Sequence, residues 1–249
     1  MSRNDNRLGA PEMQPIPAHN TTNSLLQYVA PTQFVDLPSK GKYYEPDHPL
    51  YNKENIEIRF MTAKDEDILT SQSLLKKGLA IDRFIENVVI DKKIKVGKML
   101  IGDKNAILVA ARISGYGNIY ETKLTCPACS EKLDYSFDLN AAKIAGGEIL
   151  EGVKKNEAGN FVFTLPVSKI TLEIRLLTGE DEALIVKRAA RNKENASISF
   201  IDQYKLMINS ANGVTNRAQI HEFVDVMPIG DSKKLLEVYK SVSPNIQIK

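Results

Sequence analysis

The sequence predicts an α+β protein made of two related strand–helix halves, an internal duplication, linked by a cysteine-bearing β-hairpin. Three observations carry this reading. Residues 56–69, IEIRFMTAKDEDIL, align without a gap on residues 172–185, LEIRLLTGEDEALI. Between them, YETKLTCPACSEKLDYSFDLN places two alternating arms around a Cys-Pro-Ala-Cys turn. Amphipathic helix patterns follow the strand of each half. The length of 249 residues suits one large domain or two small ones, at roughly 100–200 residues per domain.

The elements follow in chain order. Residues 1–33 are rich in Asn, Pro, Gln and Thr without a sustained period, which is the composition of a disordered arm. Within it Leu25, Leu26, Tyr28 and Val29 form a short patch suited to ordering against a partner. The first half is expected over residues 34–119. Its turn signal is Pro38-Ser39-Lys40-Gly41. NIEIRFM then reads as a strand with Ile56, Ile58 and Phe60 on one face. Thr62 followed by Asp65 is a capping-box pattern, and acids suit the positive end of a helix dipole. A helix is predicted over about Ala63–Lys77, stopped by Gly78. Ile81, Phe84, Ile85 and Val88 recur at i, i+3, i+4 and i+7, so the next helix buries one stripe. A loop over Asp91–Gly102 carries Lys92, Lys93, Lys95 and Lys98. Asp103 is read as the cap of a helix, KNAILVAARI, that is apolar nearly all round and belongs in a core.

The duplication rests on particular residues. Glu57, Ile58, Arg59, Thr62, Asp65 and Glu66 recur as Glu173, Ile174, Arg175, Thr178, Asp181 and Glu182. Phe84-Ile85 recurs at the same offset as Phe200-Ile201. Leu100-Ile101-Gly102-Asp103 matches Pro228-Ile229-Gly230-Asp231 once about 12 extra residues are allowed in the second half, 141–249. An added helix over Arg217–Met227, with Ile220, Phe223, Val224 and Met227 on one stripe, supplies them. The recurrent Arg-x-x-Thr-x-x-Asp-Glu reads as strand arginine, helix cap and first-turn acids, a folding module without a nucleophile.

The hairpin over residues 120–140 has arms Tyr120–Thr125 and Lys132–Phe137. Cys126 and Cys129 at its tip have the form of a zinc knuckle, in which a tight turn aims two thiolates at one ion. Structural zinc takes four ligands, commonly from two knuckles, and one is present. His19, His48 and His221 lie far away in sequence. Three readings stand: a half-site completed by another chain, a ribbon turn without metal, and a redox dithiol. The last lacks a surrounding βαβ pattern.

Most chemistry finds no support. Lys+Arg 33 against Asp+Glu 31 gives a formal charge of +2, which does not describe a nucleic-acid coat protein. No apolar run approaches ~18 residues, and the N-terminus has no continuous apolar segment of a secretory signal. Two cysteines without a signal suit a reducing compartment. Phosphate-loop, dinucleotide, G-x-S-x-G and H-E-x-x-H motifs are missing. Asp65-Glu66-Asp67 and Glu180-Asp181-Glu182 sit where first-turn acids belong, without the loop of a calcium hand. The lysines of 92–104 have no interleaved aromatics, so a solvated loop is expected rather than a nucleic-acid surface.

The run FVDLPSKGKYYEPDHPLYNKENIEIRFMTAKDEDILTSQSLLKKGLAIDRFIENVVID resembles the baseplate hub proteins of T4-type tailed bacteriophages. So do LIGDKNAILVAARISGYGNIYETKLTCPACSEKLDYSFDL and the two-halves layout. The resemblance covers Phe34 to the end; its most specific parts are LPSKG, MTAKDEDIL, GDKNAILVAARISGYG and the CPAC hairpin. It implies a hub subunit or a chaperone-like factor of hub assembly, with no catalytic residues. The expected partners are other phage baseplate hub and tail proteins, with self-association as a further option and no membrane. The expected place is the cytoplasm of an infected bacterium and the tail baseplate of the virion. The contact elements expected on this reading are the N-terminal arm, the Cys126–Cys129 tip and the loop around Lys92–Lys98. The alternative function is a zinc-ribbon-like module that binds nucleic acid or polymerase.

Overall fold

Val35, Ile56 and Ile58 alternate with polar residues, and burying that stripe joins the first two strands. β1 (Thr32–Asp36) pairs antiparallel with β2 (Asn55–Arg59), from Thr32↔Arg59 to Asp36↔Asn55. The structure, a computed structural model, describes residues 30–126, 129–191 and 200–248. Most of the arm, with Leu25–Val29 and His19, therefore lies outside the described residues. Its expected end at residue 33 moves, because Thr32 and Gln33 pair in β1 and Pro31 O accepts the Phe60 N–H.

The helix expected over Ala63–Lys77 is two. α1 (Ala63–Thr70) stops at Ser71, which is extended, and α2 (Gln72–Lys76) follows. Thr70 Oγ1 donates back to Glu66 O at 2.8 Å, a local bond that competes with the ladder and bends helices. Gly78, at φ +67°, closes the segment as expected. α3 (Ala80–Val88) buries Phe84, Ile85 and Val88. The lysine loop is not simply solvated, since Ile94, Val96 and Met99 are buried beneath it. Lys92 donates to Glu86 O and Val89 O, both at 2.7 Å, and so closes the C-terminal end of α3.

α4 (Ile101–Tyr116) begins before Asp103 and sinks Ala106, Ile107 and Ala111 into the core. Gly102 lies where the Pro244 carbonyl oxygen crosses the helix; a Cβ there would overlap it. β3 (Ile119–Thr125) and β4 (Lys132–Asp138) then form a sheet of their own.

The second half starts with β5 (Lys143–Ala145). A four-stranded antiparallel sheet follows in the order β6 (Lys154–Lys155), β7 (Phe161–Thr164), β8 (Thr171–Ile174), β9 (Ile208–Ala211). Its helices are α5 (Gly179–Arg191), α6 (Phe200–Met207), α7 (Arg217–Val226) and α8 (Ile229–Val242). α7 lies where a helix over Arg217–Met227 is expected, and it buries Ile220 and Val224. β10 (Asn245–Gln247) returns to pair with β5.

Two apolar clusters result. One gathers Phe84, Ile85, Met99 and Ile107, the other Phe161, Leu172, Met207 and Leu235. Tyr43 and Leu176 touch both. The architecture is mixed α+β. One expected correspondence does not hold. Phe84 is fully buried, whereas Phe200 is 62% exposed. Val89 bridges Ile58, and Ile208 pairs with Ile174. The equal offset of Phe-Ile is therefore out of step with the strands by three residues.

Candidate functional site

The recurrent arginine, threonine and aspartate form a closed hydrogen-bond set in both halves. Arg59 Nη1 and Nη2 donate to Asp65 Oδ2 and Oδ1 at 2.6 and 2.9 Å. The Thr62 N–H and hydroxyl donate to the same carboxylate, each at 2.8 Å. Arg175 reaches Asp181 with two bonds of 2.7 Å, and the Thr178 N–H and hydroxyl follow at 2.9 and 3.0 Å. Burial alone would raise the Asp65 carboxyl. Arg59, Thr62 and Asn87 outweigh it and hold Asp65 at about 2. Asp181 is also lowered, against burial, by Arg175 and Thr178. These acids are occupied as helix starters and strand clamps.

A second pair of buried acids, Asp103 and Asp231, is matched in the sequence, but what they hold is not. Asp103 does not cap its own helix. It lies within the first turn of α4 and accepts from Ser39 N at 3.0 Å, Ser39 Oγ at 2.6 Å and Tyr44 Oη at 2.7 Å. Burial pushes its carboxyl up, and the Ser39 and Tyr44 donors offset part of that. Asp231, at the same place in α8, accepts from Val167 N at 2.7 Å and Ser168 N at 2.9 Å. The turns held are Leu37-Pro38-Ser39-Lys40 and Leu165-Pro166-Val167-Ser168-Lys169, with Lys40 and Lys169 both at positive φ. The likeness of LPSK to LPVSK was the available signal.

Neither acid pair offers a reactive group. The hairpin is one of the exposed apolar elements among the described residues. In its register Tyr120 faces Phe137, Thr122 faces Tyr135 and Leu124 faces Leu133, so these six share one face. Glu121, Lys123, Lys132, Asp134 and Asp138 fall on the other. Leu133 is 53% exposed and Tyr135 49%. Its base is fixed. Asn118 Nδ2 donates to Asp138 Oδ1 at 2.8 Å, Leu139 N donates to Asn118 O at 2.8 Å, and Leu139 is buried. The Arg112 guanidinium lies over Tyr116 and Tyr120, 4.7 and 5.7 Å from the ring centroids. The result is a blade anchored at its base, with an apolar face lying open.

At the tip, Ser130 N donates to Cys126 O at 2.8 Å, and Cys126 N to Glu131 O at 2.9 Å. Cys126 is half-buried and Cys129 exposed; residues 127–128 lie outside the described residues. Among the described residues no group of three or more His, Cys, Asp or Glu side chains is placed to hold a metal. Two thiolates are half of a tetrahedral set, so the described residues by themselves do not make up a structural zinc site.

Lys93, Lys95 and Lys98 line a cleft of about 620 Å³ between the two halves, with Tyr43, His48 and Arg175. The Leu50 N–H donates to His48 Nδ1 at 3.2 Å, and burial, with Lys98, lowers the imidazole pKa. Both effects favour the neutral imidazole. The cleft mixes these cations with Glu45, Asp47 and Glu180 and has no single sign of charge.

A family model described as T4 bacteriophage base plate protein matches residues 30–249. The chain belongs to that family. Comparison with curated proteins and with solved structures finds no match. A baseplate protein of this family meets other phage baseplate proteins, in the tail or during its assembly in the host. Among the described residues no helix is long and apolar enough to cross a membrane.

Proposed function

We propose that this baseplate protein is a structural or chaperone-like assembly factor of the tail baseplate hub, working through protein–protein contacts and not through catalysis. The observation that carries the reading is the open face of β3–β4. An isolated two-stranded hairpin is marginal in water, and one that exposes Leu124, Leu133 and Tyr135 gains by being covered. Other hub and tail proteins are the partners. Glu121, Glu131, Asp134 and Asp138 outnumber Lys123 and Lys132 along the blade, which disfavours a phosphate backbone and so the nucleic-acid alternative. Zinc at Cys126 and Cys129 would need two more donors from another chain.

The test is affinity capture of hub proteins from infected cells. Wild type is compared with the double variant Leu133→Asp, Tyr135→Asp and with a chain lacking residues 1–29. Loss of capture by the double variant, with its melting midpoint unchanged, supports the blade. Weakened capture by the truncated chain supports a role for the arm. Undiminished capture by both refutes the two contact elements. Mass spectrometry of mature particles then separates a built-in subunit, which is present, from an assembly factor, which is absent.

A further inference from the structure

The two halves meet through a short backbone junction. Leu100 and Thr178 form an antiparallel bridge: the Ile101 N–H donates to Leu177 O at 3.2 Å, and the Gly179 N–H to Met99 O at 2.9 Å. The start of α4 thus pairs with the cap of α5. Leu100, Leu177 and Gly179 are buried by it. Lys104 reinforces it, reaching Glu182 of α5 at 2.7 Å and Asp82 of α3 at 2.6 Å.

Each half contains both parts of this junction. The counterpart of Leu100-Ile101 is Pro228-Ile229, and that of Leu177-Thr178-Gly179 is Met61-Thr62-Ala63. Met61 is half-buried against the first core, whereas the other counterparts lie open. Ile229 is 74% exposed and Val226 78%, with Val167, 58% exposed, packed beside Gly230. Thr62 and Ala63 are exposed too. As first residues of their helices, Ile229 and Ala63 have N–H groups without an intrahelical acceptor. Proline at 228 is compatible with the pairing, because the junction uses the Ile101 N–H and Met99 O; the Leu100 N–H is spent on Tyr44 Oη at 3.0 Å. Glu66 stands where Glu182 stands in the second half, and Ser232 stands where Lys104 stands, so the backbone pairing rather than the salt link is what the open faces share with the junction.

We propose that a second copy of this chain docks head to tail on these faces, Pro228-Ile229 of one copy pairing with Thr62-Ala63 of the next, as Leu100-Ile101 pairs with Thr178-Gly179 inside one chain. The contact is heterologous, so each copy offers one face and leaves the other open to a further copy. The inference stands on the internal junction and is independent of the hub reading.

Sedimentation of the full chain across the micromolar range tests it, with Ile229→Asp and Ala63→Glu as variants. Both side chains are exposed, and an acid suits the first turn of a helix, so the fold is kept; circular dichroism checks this, and Val226→Asp is the reserve for the first face. Wild type is expected to associate with concentration, and each variant alone to weaken association about tenfold or more. A 1:1 mixture of the two variants is expected to recover a dimer and to stop there, because each supplies the face the other lacks. A wild-type chain that stays monomeric, association unchanged by either variant, or a mixture that stays monomeric would each overturn the proposal.

Discussion

Asp65 and Asp103 are both fully buried, yet their surroundings push them in opposite directions. Asp65 is held near 2, below its ordinary 3.8, because the Arg59 and Thr62 donors outweigh burial. A depressed carboxylate stabilises the fold above its unfolded pKa and loses that contribution as pH falls through the folded value. Asp65→Asn should therefore cost about 2–3 kcal/mol at pH 7, read by urea unfolding. The gap to wild type should close between about pH 4 and pH 2; a gap that stays constant over that window contradicts the assignment. Asp103 is raised, so its ionised form is the less favoured one in the fold, and its contribution is present at low pH and lost as pH rises through the folded value. Asp103→Asn keeps an acceptor for Ser39 N and should be milder at pH 7 than Asp65→Asn. Asp103→Ala strands Ser39 and Tyr44 and should cost about 2–4 kcal/mol. Equal melting midpoints for the Asn and Ala variants of Asp103 would remove the turn-holding role.

At the scale of elements, the hairpin shows how a regular pattern can be legible while its purpose is not. Alternation in KLDYSF announces a strand, but alternation usually means one face on a core. Here Leu139 and Asn118 anchor only the base, and the apolar face is left outside. The tip carries a separate expectation. Zinc bound through two tips from different chains should appear as about half an equivalent per chain, and Cys126→Ser should abolish it. Less than about a tenth of an equivalent in wild type, measured by metal analysis, ends the zinc reading. The split of α1 from α2 was not legible, because the Thr70 back-bond to Glu66 competes with a helical pattern that is otherwise unbroken.

Across the whole molecule, two cores are held as one body by few polar links. Lys104, 3% exposed at its side chain, bonds Asp82 from the first half and Glu182 from the second. Lys104→Met should lower stability by about 1–2 kcal/mol, since Asp82 and Glu182 are partly exposed and regain water. Native-state hydrogen exchange should then show the two cores opening with different free energies. Uniform exchange in the variant would mean that the shared apolar contacts at Tyr43 and Leu176 are enough to couple them.

The sequence by itself determined the local devices. The capping boxes at Thr62 and Thr178, the stripe of α3, the added helix α7 and the arms of the hairpin all follow from short-range sterics and hydrogen bonding, which act over a few residues. Only the tertiary structure decided where side chains distant in sequence meet. Asp103 finds Ser39, Lys104 finds Glu182, and β10 closes on β5, because burying apolar surface fixes the packing and the buried polar groups must then find partners within it. The same packing decided which of two similar helix starts is covered, at Leu100-Ile101, and which remains open, at Pro228-Ile229.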